Sequence, residues 1–99
     1  MAIAVIADVG KKENYEAVNE KMFGTKRPDP TIDGLILHSA GEGPNGFRVV
    51  DIWESQEAFD SFLNERLMPA TREAGIDFPQ NRPEIVELLH VMMNEQARV

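Results

Sequence analysis

Apolar residues along the chain follow two different spacings, and each spacing predicts one kind of element. Residues 2–9 contain seven apolar residues in eight. A run this short, rich in Val and Ile and bounded by Gly10, favours a strand over a helix. Because both faces of this strand are apolar, we expect both to be buried.

The next segment, residues 11–23, has the spacing of an amphipathic helix. Its apolar residues lie three or four positions apart, with Lys, Glu and Asn between them. Gly24 is suited to end this helix, because glycine readily adopts a left-handed backbone conformation. Residues 25–34 contain two prolines and a glycine, which predict a long loop of the kind that often borders a binding site.

An antiparallel hairpin is predicted in the middle of the chain. Residues 35–40 and residues 47–53 each have the composition of a strand. Between them, residues 41–46 contain three glycines, a proline and an asparagine, which is typical of a turn. Two strands joined in this way pair antiparallel.

A second helix is predicted to begin after Ser55, a good N-cap residue. Apolar residues then recur at helical spacing as far as Leu67. Pro69 is expected either to break this helix or to open a short second turn over residues 69–74. Gly75 is expected to end that turn.

The end of the chain predicts a loop, a strand and a tail. Residues 76–83 contain two prolines and favour a loop. Residues 84–93 are largely apolar and favour a fourth strand. Residues 94–99 are expected to fray.

The order β-α-β-β-α-β predicts one α+β domain over residues 1–99. It is the order of the ferredoxin-like split βαβ fold, a four-stranded antiparallel sheet with both helices on one face. The other face would then expose apolar residues of the first and last strands, which soluble monomers rarely do. We therefore expect a homodimer that packs sheet against sheet.

Composition narrows the range of partners. The net charge is −7, which disfavours binding to nucleic acid or to an anionic membrane surface. The chain has no cysteine, which excludes disulfides, thiolate catalysis and sites built on cysteine ligands. No apolar run is long enough to span a membrane. These features predict a cytoplasmic protein.

One stretch resembles a known family. In residues 50–67, a strand ending in Trp53 is followed by Ser55 and by an Ala58–Phe59 pair on a helix. This pattern resembles the dimeric α+β barrel superfamily, and within it the antibiotic-biosynthesis-monooxygenase-like proteins. The resemblance implies a homodimer with facing sheets and a pocket between sheet and helices in each subunit.

The resemblance also implies a range of activities. Such proteins include cofactor-independent monooxygenases acting on polycyclic phenols and haem-degrading oxygenases. The haem-degrading branch carries a tryptophan where this chain has Phe62, and an iron-ligating histidine near the position of Arg72. Because arginine stays protonated and cannot replace imidazole as an iron ligand, we expect no haem. We expect no other cofactor either.

The two histidines are the first candidates for chemistry. His38 lies in the middle of a predicted strand, where it is either a general base or a hydrogen-bonded core histidine. His90, in the last predicted strand, has the same two interpretations. The second and fourth strands form opposite edges of a ferredoxin-like sheet, so these histidines are not expected to pair. No spacing typical of metal ligands is present, and no metal site is predicted.

Several other residues are candidates for a pocket, each with a structural alternative. Trp53 would stack on an aromatic substrate, transfer an electron or, as we favour, pack in the core. Asp51 would bind a ligand or, as we favour, form a structural ion pair. Arg66 and Arg72 would steer an anionic ligand or remain solvated. The helix residues expected to line any apolar cavity are Tyr15, Met22, Phe59 and Phe62.

Two functional hypotheses remain open. The first is a small-molecule-binding protein that acts as a cofactor-independent monooxygenase or isomerase on a hydrophobic aromatic or polyketide-like substrate, with His38 as the base. The second is a non-enzymatic dimeric binding or interaction module. A cavity with His38 directed into it favours the first hypothesis.

Overall fold

The computed structural model of the chain describes residues 1–27, 31–76 and 83–94. These residues form an α+β arrangement of a four-stranded antiparallel sheet and two helical regions. The elements are β1 (Ile3–Gly10), α1 (Lys12–Phe23), β2 (Leu35–Gly43), β3 (Gly46–Trp53), α2 (Gln56–Phe62), a π-helical turn (Leu63–Leu67), α3 (Met68–Glu73) and β4 (Glu84–Glu87). The arrangement is compatible with the predicted ferredoxin-like fold.

The strands lie in the order β2-β3-β1-β4, and all neighbours are antiparallel. The predicted hairpin is confirmed, and its turn is shorter than expected. Gly43 pairs with Gly46, which leaves two residues, Pro44 and Asn45, to connect the strands. The strands β2 and β4 form opposite edges of the sheet, as predicted.

One face of the sheet is covered by helices. The buried cluster there consists of Ile3, Val5, Trp53 and Phe59. The helices meet each other above this face, where α1 contacts α3. The main hydrophobic core therefore lies between the helices and the sheet.

The predicted helix boundaries have clear local causes. The Ser55 hydroxyl accepts a hydrogen bond from the Ala58 backbone N–H at 3.1 Å, which confirms the N-cap. Gly24 ends α1 with a φ of 77° and donates its N–H to the Glu20 carbonyl. A side chain at that position would be strained in the left-handed region.

Pro69 does not break the second helix. Helix α2 continues through the π-helical turn into α3, where the proline lies in the first turn. Proline has no N–H to donate, and this is tolerated where the hydrogen-bond pattern changes. Of the two expected outcomes, the structure shows the short second helix, and Gly75 follows it with a φ of 70°.

The fourth strand is shorter than predicted. Residues 84–93 were expected to form it, but β4 ends at Glu87. The neighbouring strand β1 begins at Ile3, which pairs with Glu87. Beyond this pair, the described residues continue the ladder only by one hydrogen bond, from the Leu88 N–H to the Ala2 carbonyl. Apolar composition alone did not reveal where pairing would stop.

The second face of the sheet is not covered by any element in residues 1–27, 31–76 and 83–94. Ala4 pairs with Ile52 and with Val86 on this face. Val50 and Val86 are exposed, and Ala4 and Ile52 are half-buried. The expectation that both faces of β1 are buried is therefore wrong for the single chain.

Parts of three predictions lie outside the described residues. They are positions 28–30 of the predicted first loop, 77–82 of the second and 95–99 of the tail. Within the described part of the chain, no helix combines the length and apolar character needed to cross a bilayer.

Candidate functional site

A cavity of about 510 Å³ lies between the helices and the covered face of the sheet. Its walls are predominantly apolar. Apolar lining residues include Val5, Val18, Ile32, Leu35, Leu63 and Ile76. The volume falls within the range of pockets that enclose small-molecule ligands.

The strand register brings His38 and Asp51 together on the cavity wall. His38 of β2 pairs directly with Asp51 of β3, and directly opposed residues project to the same face of a sheet. Asp51 alternates with Val50 and Ile52, so it shares the helix-covered face with Trp53. His38 and Asp51 both line the cavity.

A chain of three side chains is hydrogen-bonded along this wall. His38 Nδ1 lies 2.6 Å from Asp51 Oδ1, and His38 Nε2 lies 2.6 Å from Tyr15 Oη. An ionised carboxylate can only accept hydrogen bonds, so Nδ1 carries the proton. In the neutral imidazole Nε2 is then an acceptor, and the Tyr15 hydroxyl donates to it.

Tyr15 reaches His38 from the first helix. Its ring plane lies within 7° of the imidazole plane with the centroids 5.9 Å apart, an edge-to-edge arrangement, and it also contacts the Phe47 ring at 5.2 Å. Burial raises the pKa of Tyr15 above its usual value, a hydrogen bond with the Asn19 side chain opposes this rise, and the negative charge of Asp51 adds to it. The phenol is therefore held in its neutral, proton-donating form.

Asn19 was not predicted as a site residue. It lies one helical turn after Tyr15, is buried and lines the cavity. Its side-chain amide donates to the Lys26 carbonyl at 3.0 Å, which anchors the segment after α1. The signal that could have found it is a polar residue at the helical spacing of the apolar positions.

The predicted aromatic residues meet around Trp53. Its ring lies 5.8 Å from that of Phe59 and 5.2 Å from that of Phe62, in inclined arrangements that are favourable for aromatic pairs. These three residues and Met22 line the cavity. Trp53 therefore packs in the core, as favoured, and also borders the cavity. Stacking on a substrate stays a prediction.

Two predicted candidates lie away from the cavity. His90 is exposed beyond the end of β4, and Arg72 is exposed on α3. Neither belongs to the cavity wall. Arg66, which was considered with Arg72, places its guanidinium 5.0 Å from the centroid of the Phe23 ring, where a cation–π contact stabilises it.

Asp51 has the paired role that the sequence favours. The sequence did not indicate which residue would pair with Asp51, and the structure shows that the partner is His38. Among the described residues, no group of three or more histidine, aspartate and glutamate side chains is arranged to hold a metal ion. His38 and Asp51 are a hydrogen-bonded imidazole and carboxylate on the cavity wall.

Comparison with known proteins gives no family: no family model matches the chain, and no curated protein matches it. The resemblance to the dimeric α+β barrel superfamily therefore stays a prediction. Since folds of this kind carry many unrelated activities, function has to be argued from the geometry of the cavity.

Proposed function

We propose that the chain binds an apolar, ring-containing small molecule in the cavity and that His38 transfers a proton from it. The observation that carries this proposal is the Asp51–His38–Tyr15 hydrogen-bond chain on the wall of a 510 Å³ apolar cavity. A polar chain in such surroundings is costly unless every member is satisfied.

The arrangement suits a general base. Asp51 fixes the imidazole ring so that Nε2 carries the free electron pair, and its negative charge stabilises the imidazolium that forms when a proton arrives. Because Tyr15 covers Nε2 in this structure, the proton reaches His38 through the phenol or after the phenol turns aside. The substrate keeps the electron pair as an enolate or phenolate.

Proton removal is the first step of both reactions that we consider. An isomerase returns the proton to another atom of the same substrate. A cofactor-independent monooxygenase lets the electron-rich anion react with molecular oxygen. The hydrogen-bond chain supports the step that these two reactions share, and the isomerase requires no further reactant.

The experiment is deuterium exchange into 2-tetralone, a bicyclic ketone with acidic protons beside its carbonyl group. Nuclear magnetic resonance in deuterated buffer follows the loss of those protons. We expect the protein to accelerate exchange, and His38→Gln to reduce the acceleration by about 10²-fold or more. The matched control is His90→Gln, which removes the exposed histidine and should leave the rate unchanged.

The outcome also separates the two functional hypotheses. Binding of 2-tetralone with no acceleration of exchange contradicts the proton-transfer role and supports the non-enzymatic binding module. Equal rates for His38→Gln and the unmodified protein lead to the same conclusion.

We also propose that a second copy of the chain covers the free face of the sheet. An apolar row on that face crosses all four strands, formed by Val86, Ala4, Ile52 and Leu37. Beyond β4, Leu89, Met92 and Met93 are exposed as well. A two-fold dimer would bury the apolar row against itself.

A further inference from the structure

Both ring nitrogens of His38 are engaged in hydrogen bonds. Nδ1 faces Asp51 Oδ1 and Nε2 faces Tyr15 Oη, each at 2.6 Å. A proton from a molecule in the cavity therefore has to enter the hydrogen-bond chain at one of its ends. Protonation of Asp51 would remove the charge that stabilises the imidazolium, which leaves Tyr15 as the productive end.

The Tyr15 hydroxyl is able to accept one more hydrogen bond. A hydroxyl has one hydrogen to donate and two lone pairs that accept. Its hydrogen points to His38 Nε2, and the Asn19 side chain, which hydrogen-bonds to the phenol, uses at most one lone pair. The phenol is half-buried, and Tyr15 lines the cavity. An acceptor site on Tyr15 Oη therefore remains for a bound molecule.

The alternative, in which the phenol turns aside and uncovers Nε2, breaks contacts that the structure shows. The Tyr15 ring lies 5.2 Å from the ring of Phe47, which is buried. Loss of the hydroxyl would leave Nε2 as an unpaired acceptor in predominantly apolar surroundings, which is costly. A transfer through the hydroxyl keeps both contacts, because only hydrogen atoms move along bonds that already exist.

We propose that Tyr15 is a catalytic residue, whose hydroxyl oxygen takes the proton from the bound molecule while its own hydrogen passes to His38. This inference rests on the proposed function, since it requires a substrate in the cavity. It assigns the contact with the reacting atom to Tyr15 and the storage of the proton to His38.

The step balances without a further reactant. The C–H bond beside the substrate carbonyl breaks, and its electron pair moves to the carbonyl oxygen to form an enolate. A new O–H bond forms on Tyr15 as its former O–H bond breaks and an N–H bond forms at His38 Nε2. Tyr15 is neutral before and after the step, which agrees with the raised pKa that keeps its phenol protonated. The imidazolium is stabilised by Asp51.

The test is deuterium exchange into 2-tetralone with Tyr15→Phe, which keeps the ring and removes the hydroxyl. We expect the acceleration of exchange to fall by about 10²-fold or more, as for His38→Gln. If the phenol only covers Nε2, its removal frees the base. Exchange as fast as in the unmodified protein, or faster, therefore overturns the inference.

Ser39→Ala is the matched control for Tyr15→Phe. It also removes one hydroxyl, beside His38 in the sequence but on the free face of the sheet, where Ser39 pairs with Val50 and is exposed. We expect this variant to exchange 2-tetralone at the unmodified rate. Circular dichroism compares the folding of both variants with that of the unmodified protein.

The double variant distinguishes a relay from two independent contributions. Residues that act as one unit lose little more when both are removed. We therefore expect Tyr15→Phe combined with His38→Gln to be no slower than the slower of the two single variants. Losses that multiply overturn the relay.

A further measurement needs no substitution and avoids any folding defect. The release of tritium from 2-tetralone, labelled beside its carbonyl group, is compared in H₂O and in D₂O on the pH-independent plateau. In the relay the exchangeable hydrogen of Tyr15 moves in the same step, so we expect slower release in D₂O. Equal rates mean that the substrate proton goes to Nε2 directly, and they overturn the inference.

The same assays separate this inference from the proposed function. If His38→Gln loses the acceleration and Tyr15→Phe keeps it, proton transfer to His38 stands and only the relay is wrong. If the unmodified protein does not accelerate exchange, the proton-transfer function and the relay are both overturned.

Discussion

The two faces of β3 differ in what covers them. On one face Asp51 and Trp53 are buried beneath the helices, and on the other Val50 is exposed and Ile52 is half-buried. Alternation along a single strand thus separates the side chains of the covered face, which include Asp51, from those of the free face, which include Arg48. The covered face holds side chains in place by packing and hydrogen bonds. The free face carries the apolar row of Val86, Ala4, Ile52 and Leu37, which no element in the described part of the chain covers.

The largest expected difference between the faces concerns stability. Phe59→Ala removes a ring that is 6% exposed and packs on Trp53. We expect a loss of about 3–5 kcal/mol in the free energy of unfolding, because little can fill the space. Urea denaturation followed by circular dichroism measures it.

The control for Phe59→Ala is Leu89→Ala, at a residue that is 85% exposed beyond β4. At protein concentrations low enough to keep the chain monomeric, this change should alter stability by less than about 0.5 kcal/mol. Similar losses for the two variants would contradict the assignment of the core to the helix-covered face.

The second prediction tests the free face. Val50→Glu places a carboxylate on the free face, beside the apolar row. Across a two-fold axis two such charges would be buried close together, so we expect the dimer dissociation constant to rise by about 100-fold or more. Analytical ultracentrifugation over a range of concentrations measures this constant.

The matched control for Val50→Glu is Ser61→Glu, which adds the same charge at an exposed position of α2 and should leave the dimer intact. Circular dichroism should show that both variants fold. A protein that is monomeric at every concentration would contradict the proposal that a second copy covers this face.

The contrast between the two faces of β3 also shows how much of the structure could be predicted from the sequence. Element order and the two-residue alternation on β3 follow directly from the apolar pattern, and the structure confirms both. The contact between His38 and Asp51 was missed because residues 41–46 were interpreted as one long turn. With only Pro44 and Asn45 in the turn, counting along the hairpin places His38 opposite Asp51.

Other features depend on contacts between residues that are far apart in the sequence. Tyr15 reaches His38, 23 positions later in the chain, only because α1 lies on the covered face of the sheet. Likewise, the end of β4 is fixed by where β1 begins. The local spacing of residues therefore predicts neither the contact of Tyr15 with His38 nor the end of β4.

The third prediction concerns Asp51, the buried carboxylate of β3. Asp51→Ala leaves the His38 Nδ1–H without an acceptor, and we expect a loss of about 1–3 kcal/mol in the free energy of unfolding. Asp51→Asn retains a side-chain oxygen that can accept this hydrogen bond, so we expect a smaller loss in the free energy of unfolding. Thermal denaturation at neutral pH compares the two variants.

Arg48 provides the control for Asp51, since it lies on the free face of the same strand and is exposed. Arg48→Ala should change stability by less than about 0.5 kcal/mol. Equal losses for Asp51→Ala and Arg48→Ala would mean that the hydrogen bond to His38 contributes nothing to the fold.

The smallest expected effect is the titration of Tyr15, the only tyrosine of the chain. Its tyrosinate absorbance reports a single group, and the raised pKa of Tyr15 predicts a midpoint above about pH 10 in the folded protein and near pH 10 in denaturant. Below pH 10 the phenol is neutral in both states, so its stabilising contribution is complete. As the pH rises further, the unfolded chain ionises first, and this contribution is lost by the time the folded phenol ionises.

Asp51→Asn separates the two causes of the raised Tyr15 pKa. Removing the carboxylate charge should lower the midpoint of the folded protein, but burial, the larger cause, remains, so the midpoint should stay above its value in denaturant. Arg48→Ala, on the free face, should leave the midpoint in place. A folded midpoint equal to that in denaturant would mean that Tyr15 is exposed to water, and the closed hydrogen-bond chain over the covered face would then be wrong.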